Sequence, residues 1–169
     1  MASLAKTAPA QEIRWRPLRP GDLAYVAALE AQIHAAPWSQ RNFRDAIEAG
    51  YSAWLAEREG RVVAYGVLML APGEAQILNI SVIHDARREG LGRTLLRRFV
   101  DDARHFGAEQ VFLEVRVSNA PAIALYLSES FVPVARRKAY YPARASDDFR
   151  EDALVMRLAL DISATNDPT

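Results

Sequence analysis

Residues 87–93 read Arg-Arg-Glu-Gly-Leu-Gly-Arg, and they lead into the most regular amphipathic stretch of the chain. The apolar positions of that stretch recur at helical spacing and predict a helix with a buried face made of Leu91, Leu95, Leu96, Phe99, Val100 and Ala103. Gly107 is expected to end this helix. Two glycines separated by one residue let a backbone approach a ligand, and the free N–H groups at a helix start favour an anion. The segment therefore predicts an anion-binding loop.

Two familiar phosphate loops do not fit this segment. A P-loop would need Gly-Lys followed by Ser or Thr after four spacer residues, and a Rossmann fingerprint would need a third glycine at position 95, which is Leu95. The spacing alone leaves a plain alternative open, in which a helix starts after a tight turn and exposes a basic face to water.

The rest of the chain alternates between strand-like and helix-like patterns. Strands are expected at 12–16, 51–57, 61–70, 75–82, 110–116, 131–136 and 153–160. Besides the helix from Leu91, further helices are expected after Asp22, after the N-cap candidate Ser39, and at 120–128. This order predicts an α/β (α+β) fold, with a mixed sheet that carries helices on its faces.

Composition limits the classes of function. The 169 residues suit one domain, expected at 12–160 between flexible tails at 1–11 and 161–169. The chain has no cysteine, which excludes disulfides, thiolate metal sites and a cysteine nucleophile. Basic and acidic residues both number 21, and no apolar run approaches the roughly 20 residues of a membrane span. We expect a cytoplasmic protein with no direct nucleic-acid or membrane partner.

The loop and four other segments resemble a known family. Arg87-x-x-Gly90-x-Gly92 matches the Q/R-x-x-G-x-G/A pyrophosphate motif of the GNAT acetyltransferases, and it lies where they have it, between the fourth strand and the third helix. The resemblance to the RimI branch extends to Pro37-Trp38-Ser39, the run from Leu113 to Tyr126, Tyr140-Tyr141-Pro142 and Arg150-Glu151-Asp152-Ala153. It covers roughly residues 12–160. RimI enzymes acetylate the N-terminal alanine of a small-subunit ribosomal protein.

The resemblance implies a fold, a co-substrate and a partner. The expected sheet has seven mostly antiparallel strands with about four helices on its faces. Acetyl-CoA would be the co-substrate, and the acceptor would be a protein N-terminus, most simply that of a ribosomal protein, bound by a monomer or weak dimer. The cofactor-binding residues implied by the family pattern are Ile80, Ser81, Val82, Arg87, Arg88, Glu89, Gly90, Leu91, Gly92, Arg93 and Asn119. The backbone at 80–82 would hold the pantetheine arm, and the Val82 N–H would polarise the acetyl carbonyl. Asn119 is either a helix N-cap or a cofactor ligand.

Glu114 is the candidate general base. It lies mid-strand, with Leu113 and Val115 on the opposite face and Arg116 on its own. The pattern alone leaves two roles about equally open, a cross-strand ion-pair partner or a general base. The RimI resemblance implies the base, which would take a proton, directly or through water, from an α-amine whose ordinary pKa is roughly 7.7–8.0.

Tyr126 is the candidate proton donor to the departing coenzyme A thiolate. An ordinary tyrosine has a pKa near ~10 and a thiol near ~8.5, so the transfer is modestly uphill. By its spacing Tyr126 could equally be an aromatic on the core face of its helix with Ile123. The family resemblance implies the donor role. Without a cysteine or a clear Ser-His-Asp set, we expect direct attack in a ternary complex rather than an acetyl-enzyme.

Aromatic residues are expected to bind the acceptor. Tyr140 and Tyr141 could flank a peptide backbone from a C-terminal loop, or they could be core or lid residues. Trp38 is a third candidate, through the resemblance of its loop to the RimI branch. Acidic candidates for contacts with a basic peptide are Glu74, Asp147 and Asp148. The three histidines, His34, His84 and His105, lack ligand spacing and are expected at the surface or in loops, so no metal site is predicted.

Two departures from the family pattern concern the C-terminal part. Ser130 stands where a glycine is usual before Phe131, and Ala139 stands at a position often held by asparagine.

Two other functions remain as alternatives, namely a GNAT enzyme for a lysine side chain or small amine, and a non-catalytic acetyl-CoA-binding module. The presence of both Glu114 and Tyr126 argues against the second.

Overall fold

The computed structural model describes residues 11–145 and 148–161, and within them the chain forms seven strands and four helices. In chain order these are β1 (Ile13–Pro17), α1 (Leu23–Ile33), α2 (Gln40–Glu48), β2 (Ser52–Arg58), β3 (Arg61–Ala71), β4 (Glu74–Val82), α3 (Leu91–Phe106), β5 (Gln110–Arg116), α4 (Ala120–Ser128), β6 (Val132–Tyr141) and β7 (Glu151–Ala159). Short 3-10 turns precede α1 and follow β4, at Pro20–Asp22 and His84–Ala86.

The strands form one sheet in the order β1-β2-β3-β4-β5-β7-β6. Neighbouring strands run antiparallel except for β4 and β5, which are parallel. The expected mixed, mostly antiparallel seven-stranded sheet with four helices is confirmed. The predicted tails lie almost entirely outside the described residues, and the single-domain assignment stays a prediction.

The parallel strands β4 and β5 pair along only part of their length. Its register runs from Glu74 opposite Gln110 to Ile77 opposite Leu113. Beyond that point β4 continues to Val82 and β5 to Arg116 without pairing to each other. The two strands therefore leave a split in the middle of the sheet, and the backbone groups that line it have no ladder partner on that side.

The two faces of the sheet carry different helices. α3 packs its buried stripe on one face against residues such as Leu113 and Val115 of β5, while α1 and α2 cover the other face around Phe43 and Tyr65. Because side chains alternate along a strand, Glu114 faces the side of α1. The burial of β5 alternates as this arrangement requires.

A β-bulge at Leu78 sets the faces of β4. Val67 of β3 pairs with Asn79 and Leu68 pairs with Ile77, so Leu78 is the extra residue. After the bulge, Asn79 and Ser81 point towards α1, because their side chains contact that helix or the residue that ends it. Ile80 and Val82 therefore point towards α3.

The C-terminal strands are longer than the sequence indicates. β6 does not end near residue 136 but continues to Tyr141, which pairs with Glu151 of β7. The placement of Tyr140 and Tyr141 in a loop is therefore wrong. The alternation that marks a half-buried strand is missing in β6 because nearly all of its residues are exposed on both faces.

None of the helices in the described ranges has the length and apolarity needed to cross a membrane.

Candidate active site

A cleft of about 230 Å³ lies where β4 and β5 separate. The structure brings six of the residues singled out in the sequence to its wall: Trp38, Ile80, Glu114, Asn119, Tyr126 and Tyr141. Val82, Ser81 and Tyr140 are not on this wall. Val82 lies further along β4, towards the glycine loop, and Ser81 is buried at 2% exposure. The cleft therefore opens through the sheet, with α4 on one side and α1 on the other.

The glycine loop presents a row of free backbone donors. The described hydrogen bonds include none donated by the N–H groups of residues 88–93, where the chain turns into the 16-residue helix α3. Gly90 is its N-cap and has a φ of +80°, and Arg88 has a φ of +64°. Successive unpaired N–H groups at a helix start form a concave site for an anion such as a pyrophosphate.

Side chains in this loop are largely engaged with the protein itself. Glu89 pairs with Arg58 of β2, and Arg93 contacts Ser128 at 3.0 Å and pairs with Glu129 at the end of α4. Arg87 Nε donates to the Val82 carbonyl at 3.4 Å. The loop therefore offers a ligand its backbone and the exposed side chain of Arg88.

Gly92 is not required by packing within the protein. A Cβ atom at this position would lie 3.5 Å from Leu125 Cδ2 and 3.8 Å from Val82 Cγ2, which are ordinary contact distances. Gly90, by contrast, has a left-handed conformation that L side chains rarely adopt. The first glycine is needed for the shape of the loop, whereas an alanine would fit at the second.

The end of β4 points two further N–H groups into the split. Ile83 N–H donates to the Val63 carbonyl of β3 at 3.0 Å. Because the amides of a strand alternate in direction, the N–H groups of Ile80 and Val82 point away from β3, towards the gap left by β5. An extended ligand that lies in the split could accept hydrogen bonds from both.

The sequence left two roles open for Glu114, a general base or a cross-strand ion-pair partner, and its position is compatible with both. It lines the cleft, and its Oε1 lies 3.2 Å from Arg137 Nε of β6. Hydrogen bonding to Glu114, followed by burial, raises the pKa of Tyr140. The carboxylate is thus held between the cleft and a cation, on the face of the sheet that carries α1.

Tyr126 reaches the cleft from α4, on the opposite face. Its ring packs against Phe131 with the ring centroids 6.1 Å apart. Burial raises the pKa of Tyr126 to about 12. Proton transfer from this hydroxyl to a thiolate is therefore less favourable than an ordinary tyrosine would suggest, and near neutral pH the group is a hydrogen-bond donor.

Asn119 also combines its two expected roles. Its Oδ1 accepts a hydrogen bond from the Ala122 N–H at 3.3 Å, which makes it the N-cap of α4. The same residue lines the cleft. Capping uses the carboxamide oxygen and leaves the amide N–H₂ as a donor.

Aromatic residues frame the cleft on the α1 face. Trp38 packs on Phe43 with their centroids 5.1 Å apart. The guanidinium carbon of Arg116 lies 4.5 Å from the centroid of the Tyr141 ring. Tyr140 packs edge-on against Tyr141 at 5.1 Å. Burial, then the Glu114 charge, raises the pKa of Tyr141. The two tyrosines and Trp38 therefore border the face on which Glu114 lies.

Residues 11–130 match the acetyltransferase (GNAT) family. The chain belongs to the GNAT family. A ribosomal protein bS18-alanine N-acetyltransferase from Escherichia coli K12 is 37% identical over 139 residues, which cover 82% of this chain and 92% of that protein. A putative enzyme of the same name from Bacillus subtilis is 35% identical over 83% of this chain and 91% of its own.

Solved structures agree with this assignment. The crystal structure of the ribosomal-protein-S18-alanine N-acetyltransferase from Escherichia coli superposes with a TM-score of 0.82, at 34% identity, over 94% of this chain and all of that one. The putative acetyltransferase yncA from Salmonella typhimurium, solved with acetyl-CoA, shares the fold at a TM-score of 0.73 and 22% identity, over 93% of this chain and 99% of that one.

Two of the three acidic residues proposed for a basic peptide, Glu74 and Asp148, are not in the cleft of this GNAT protein. Glu74 lies at the opposite end of β4, where it pairs with Gln110. Asp148 is exposed and does not line the cleft, and Asp147 lies outside the described residues. In the described ranges, no group of three or more His, Cys, Asp or Glu side chains is arranged to hold a metal ion.

Two further residues of this GNAT site were not among the candidates from the sequence. Glu30 of α1 is 2% exposed and lines the cleft. His34 lies in the loop after α1, as expected, and it lines the cleft too. The available signal was Glu30 itself, a carboxylate in register with the buried Leu23 and Val26 of its helix.

Proposed function

We propose that this GNAT protein transfers the acetyl group of acetyl-CoA to the N-terminal α-amine of a protein, and that its acceptor is the N-terminal alanine of ribosomal protein bS18. The observation that carries the proposal is the split between β4 and β5. It has free backbone donors on the side of α3 and a carboxylate on the side of α1.

Acetyl-CoA would bind along the α3 side of the split. The N–H groups of residues 88–93 would hold the pyrophosphate, and the amides of Ile80 and Val82 would bind the pantetheine arm as a neighbouring strand would. The Val82 N–H would then stabilise the oxygen of the acetyl carbonyl as it gains negative charge. The carboxamide of Asn119 supplies a further donor beside this path.

The acceptor amine would attack from the opposite side. Its nitrogen forms the C–N bond, Glu114 takes a proton from that nitrogen, and the C–S bond breaks to release the thiolate. Tyr126, which reaches the cleft from the cofactor side, donates a hydrogen bond to the sulfur. The product amide keeps one hydrogen, and the thiolate is finally protonated.

The chemistry of the site favours an α-amine over lysine. At neutral pH an α-amine with a pKa of roughly 7.7–8.0 has a several-hundred-fold larger neutral fraction than a lysine with a pKa of about 10.4. Trp38 and Tyr141 could flank the first residues of a peptide chain.

The relatives support the identity of the acceptor. Those from Escherichia coli and Bacillus subtilis carry the name of ribosomal protein bS18-alanine N-acetyltransferases and match this chain over more than four fifths of its length. A ribosomal acceptor also accounts for a cytoplasmic site of action, which we propose with it.

A peptide panel tests the acceptor class. We expect acetylation of a peptide with a free N-terminal alanine and none of the same peptide with a blocked N-terminus and an internal lysine. Free lysine and a simple primary amine serve as the small-molecule controls. Acetylation of the blocked peptide, or of the small amines only, would contradict the proposal and leave the family assignment intact.

A further inference from the structure

A buried network of hydrogen-bonded polar side chains connects α1 with the cleft. The Glu30 carboxylate accepts hydrogen bonds from Tyr65 Oη of β3 at 2.6 Å, from Asn79 Nδ2 of β4 at 3.1 Å and from the Trp38 N–H at 3.2 Å. With three donors around it, Glu30 fixes the orientation of the Asn79 amide, whose oxygen must point the other way. The chemistry proposed above does not involve this network.

The directions of these hydrogen bonds determine the tautomer of His34. Ser81 donates its one hydroxyl hydrogen to Asn79 Oδ1 at 2.7 Å. Its oxygen therefore accepts from His34, whose Nε2 lies 2.7 Å away. Nε2 carries a proton, and in the neutral ring Nδ1 is the basic atom. Within the described residues, Nδ1 has no hydrogen-bond partner.

Burial favours the neutral form of His34. Burial lowers its pKa from the ordinary value of 6.5, Arg87 and Arg116 lower it further, and Glu30 opposes them. Burial and Glu30 raise the pKa of Tyr65, so this neighbour stays protonated. The side chain of His34 is 39% exposed, and Glu114 and Tyr141 face the same cleft. Near neutral pH His34 is thus an unprotonated base open to the acceptor side.

Acetyl transfer to an α-amine needs more than one proton acceptor. The ammonium form carries three hydrogens and the amide product keeps one, so two protons must leave the nitrogen. One leaves before attack, because an ammonium has no free electron pair. The second leaves after the C–N bond forms, when the nitrogen is much more acidic. An imidazole is ordinarily a stronger base than a carboxylate and so suits the first step better.

We propose that His34 accepts the first proton, from the incoming ammonium group, and that Glu114 accepts the second. An N–H bond of the ammonium breaks, a proton is added to His34 Nδ1 directly or through one water, and the freed electron pair attacks the thioester. The imidazolium then loses its proton to solvent through the mouth of the cleft. The inference rests on the proposed function, because only an acceptor that arrives protonated needs this step.

The pH profile of His34→Gln tests the inference. The glutamine amide can still donate to Ser81, but it cannot take a proton. We expect kcat to fall roughly 6- to 11-fold at pH 7, because about 9–17% of an α-amine with a pKa of roughly 7.7–8.0 is neutral there and needs no base. At about pH 9.5–10 the α-amine is already neutral in solution, and kcat should return to within about threefold of the wild-type value. The matched variant Glu114→Gln should recover only in part, since the second proton must still leave.

A second variant separates a base from a structural residue. In His34→Ala, added imidazole should restore most of kcat at pH 7, and the thermal shift caused by acetyl-CoA should equal that of the wild type. An equal loss of kcat at every pH without rescue by imidazole would make His34 a structural support of the α1–α2 segment. An unchanged kcat would make it a spectator. Either result overturns the inference.

The same measurements distinguish this inference from the proposed function. If the wild-type enzyme acetylates lysine or small amines but no N-terminal peptide, the proposed function fails. The imidazole rescue is then measured with the amine that reacts. Rescue would still assign the first proton to His34, and its absence would refute that assignment separately.

Discussion

Replacing Tyr126 by phenylalanine should lower kcat. The burial of the Tyr126 hydroxyl determines how large the loss should be. The pKa of Tyr126 is about 12, and that of a free thiol is roughly 8.5. Complete proton transfer to the thiolate would therefore be uphill by roughly 3.5 pKa units, or ~5 kcal/mol. A hydrogen bond to a charged sulfur contributes about 1.5–3 kcal/mol instead, which corresponds to a roughly 10- to 150-fold loss of kcat in Tyr126→Phe.

Steady-state kinetics with a free N-terminal alanine peptide between pH 6 and 10 measure this loss. Phenylalanine keeps the packing on Phe131, so the KM for acetyl-CoA should stay close to that of the wild type. The ratio of the two kcat values should be constant up to about pH 10, because a hydroxyl with a pKa of about 12 does not ionise in that range. A loss below twofold would mean that Tyr126 contributes only to packing. A loss above 1,000-fold, or a ratio that falls towards one between pH 8 and 10, would show that a more acidic tyrosine transfers its proton fully.

Three further predictions concern the base, the glycine loop and two residues with a positive φ. Glu114→Gln should lower kcat roughly 10²- to 10⁴-fold at pH 7, with partial recovery at pH 9–10 and unchanged acetyl-CoA binding, as steady-state kinetics and calorimetry would measure. At about 100 times its Kd, acetyl-CoA should stabilise the wild type by ~2.7 kcal/mol and raise Tm by roughly 5–10 °C. Gly92→Ala should keep this shift, since its Cβ makes only ordinary contacts, and Gly90→Val should lose it because the residue has a φ of +80°. Ser130→Gly and Ala139→Asn should each raise Tm by about 1–4 °C, because both residues have a positive φ, of +71° and +49°.

Each of these has an outcome that contradicts it. Wild-type kcat in Glu114→Gln at every pH would make the carboxylate purely an ion-pair partner of Arg137. A shift of equal size with ATP, or one that survives in Gly90→Val, would contradict the assignment of the loop to the pyrophosphate. A lower Tm in Ser130→Gly would mean that the entropy glycine adds to the unfolded chain outweighs the relief of strain.

The features that the sequence predicts well are local. The buried stripe of α3 and the glycines before it follow from helical periodicity and backbone freedom, and the structure places both as expected. Alternation along β5 put Glu114 opposite Leu113 and Val115, which the burial of that strand confirms. Both departures from the family pattern, Ser130 and Ala139, occur at positive φ, where glycine and asparagine are favoured.

The features that the sequence could not provide depend on contacts between distant segments. Glu30 and Asn79 are separated by 49 positions in the chain. Neither the helical pattern around Glu30 nor the strand pattern around Asn79 indicates that the two side chains are in contact. The ring of His34 at the cleft contacts Ser81, which is 47 positions away in the chain. The raised pKa of Tyr126 depends on burial, which a residue type does not reveal. The length of β6 depends on pairing with β7, since β6 itself has almost no buried residue to mark it.

The most direct test of the central claim uses the full acceptor protein. Purified, unmodified ribosomal protein bS18 is incubated with the enzyme and acetyl-CoA, and fragmentation mass spectrometry locates any added acetyl group. We predict one acetyl group on the α-amine of the N-terminal alanine, none on lysine side chains, and at least a 100-fold slower reaction with Glu114→Gln. Acetylation at lysines alone, or no acetylation while small amines are modified, would contradict the claim.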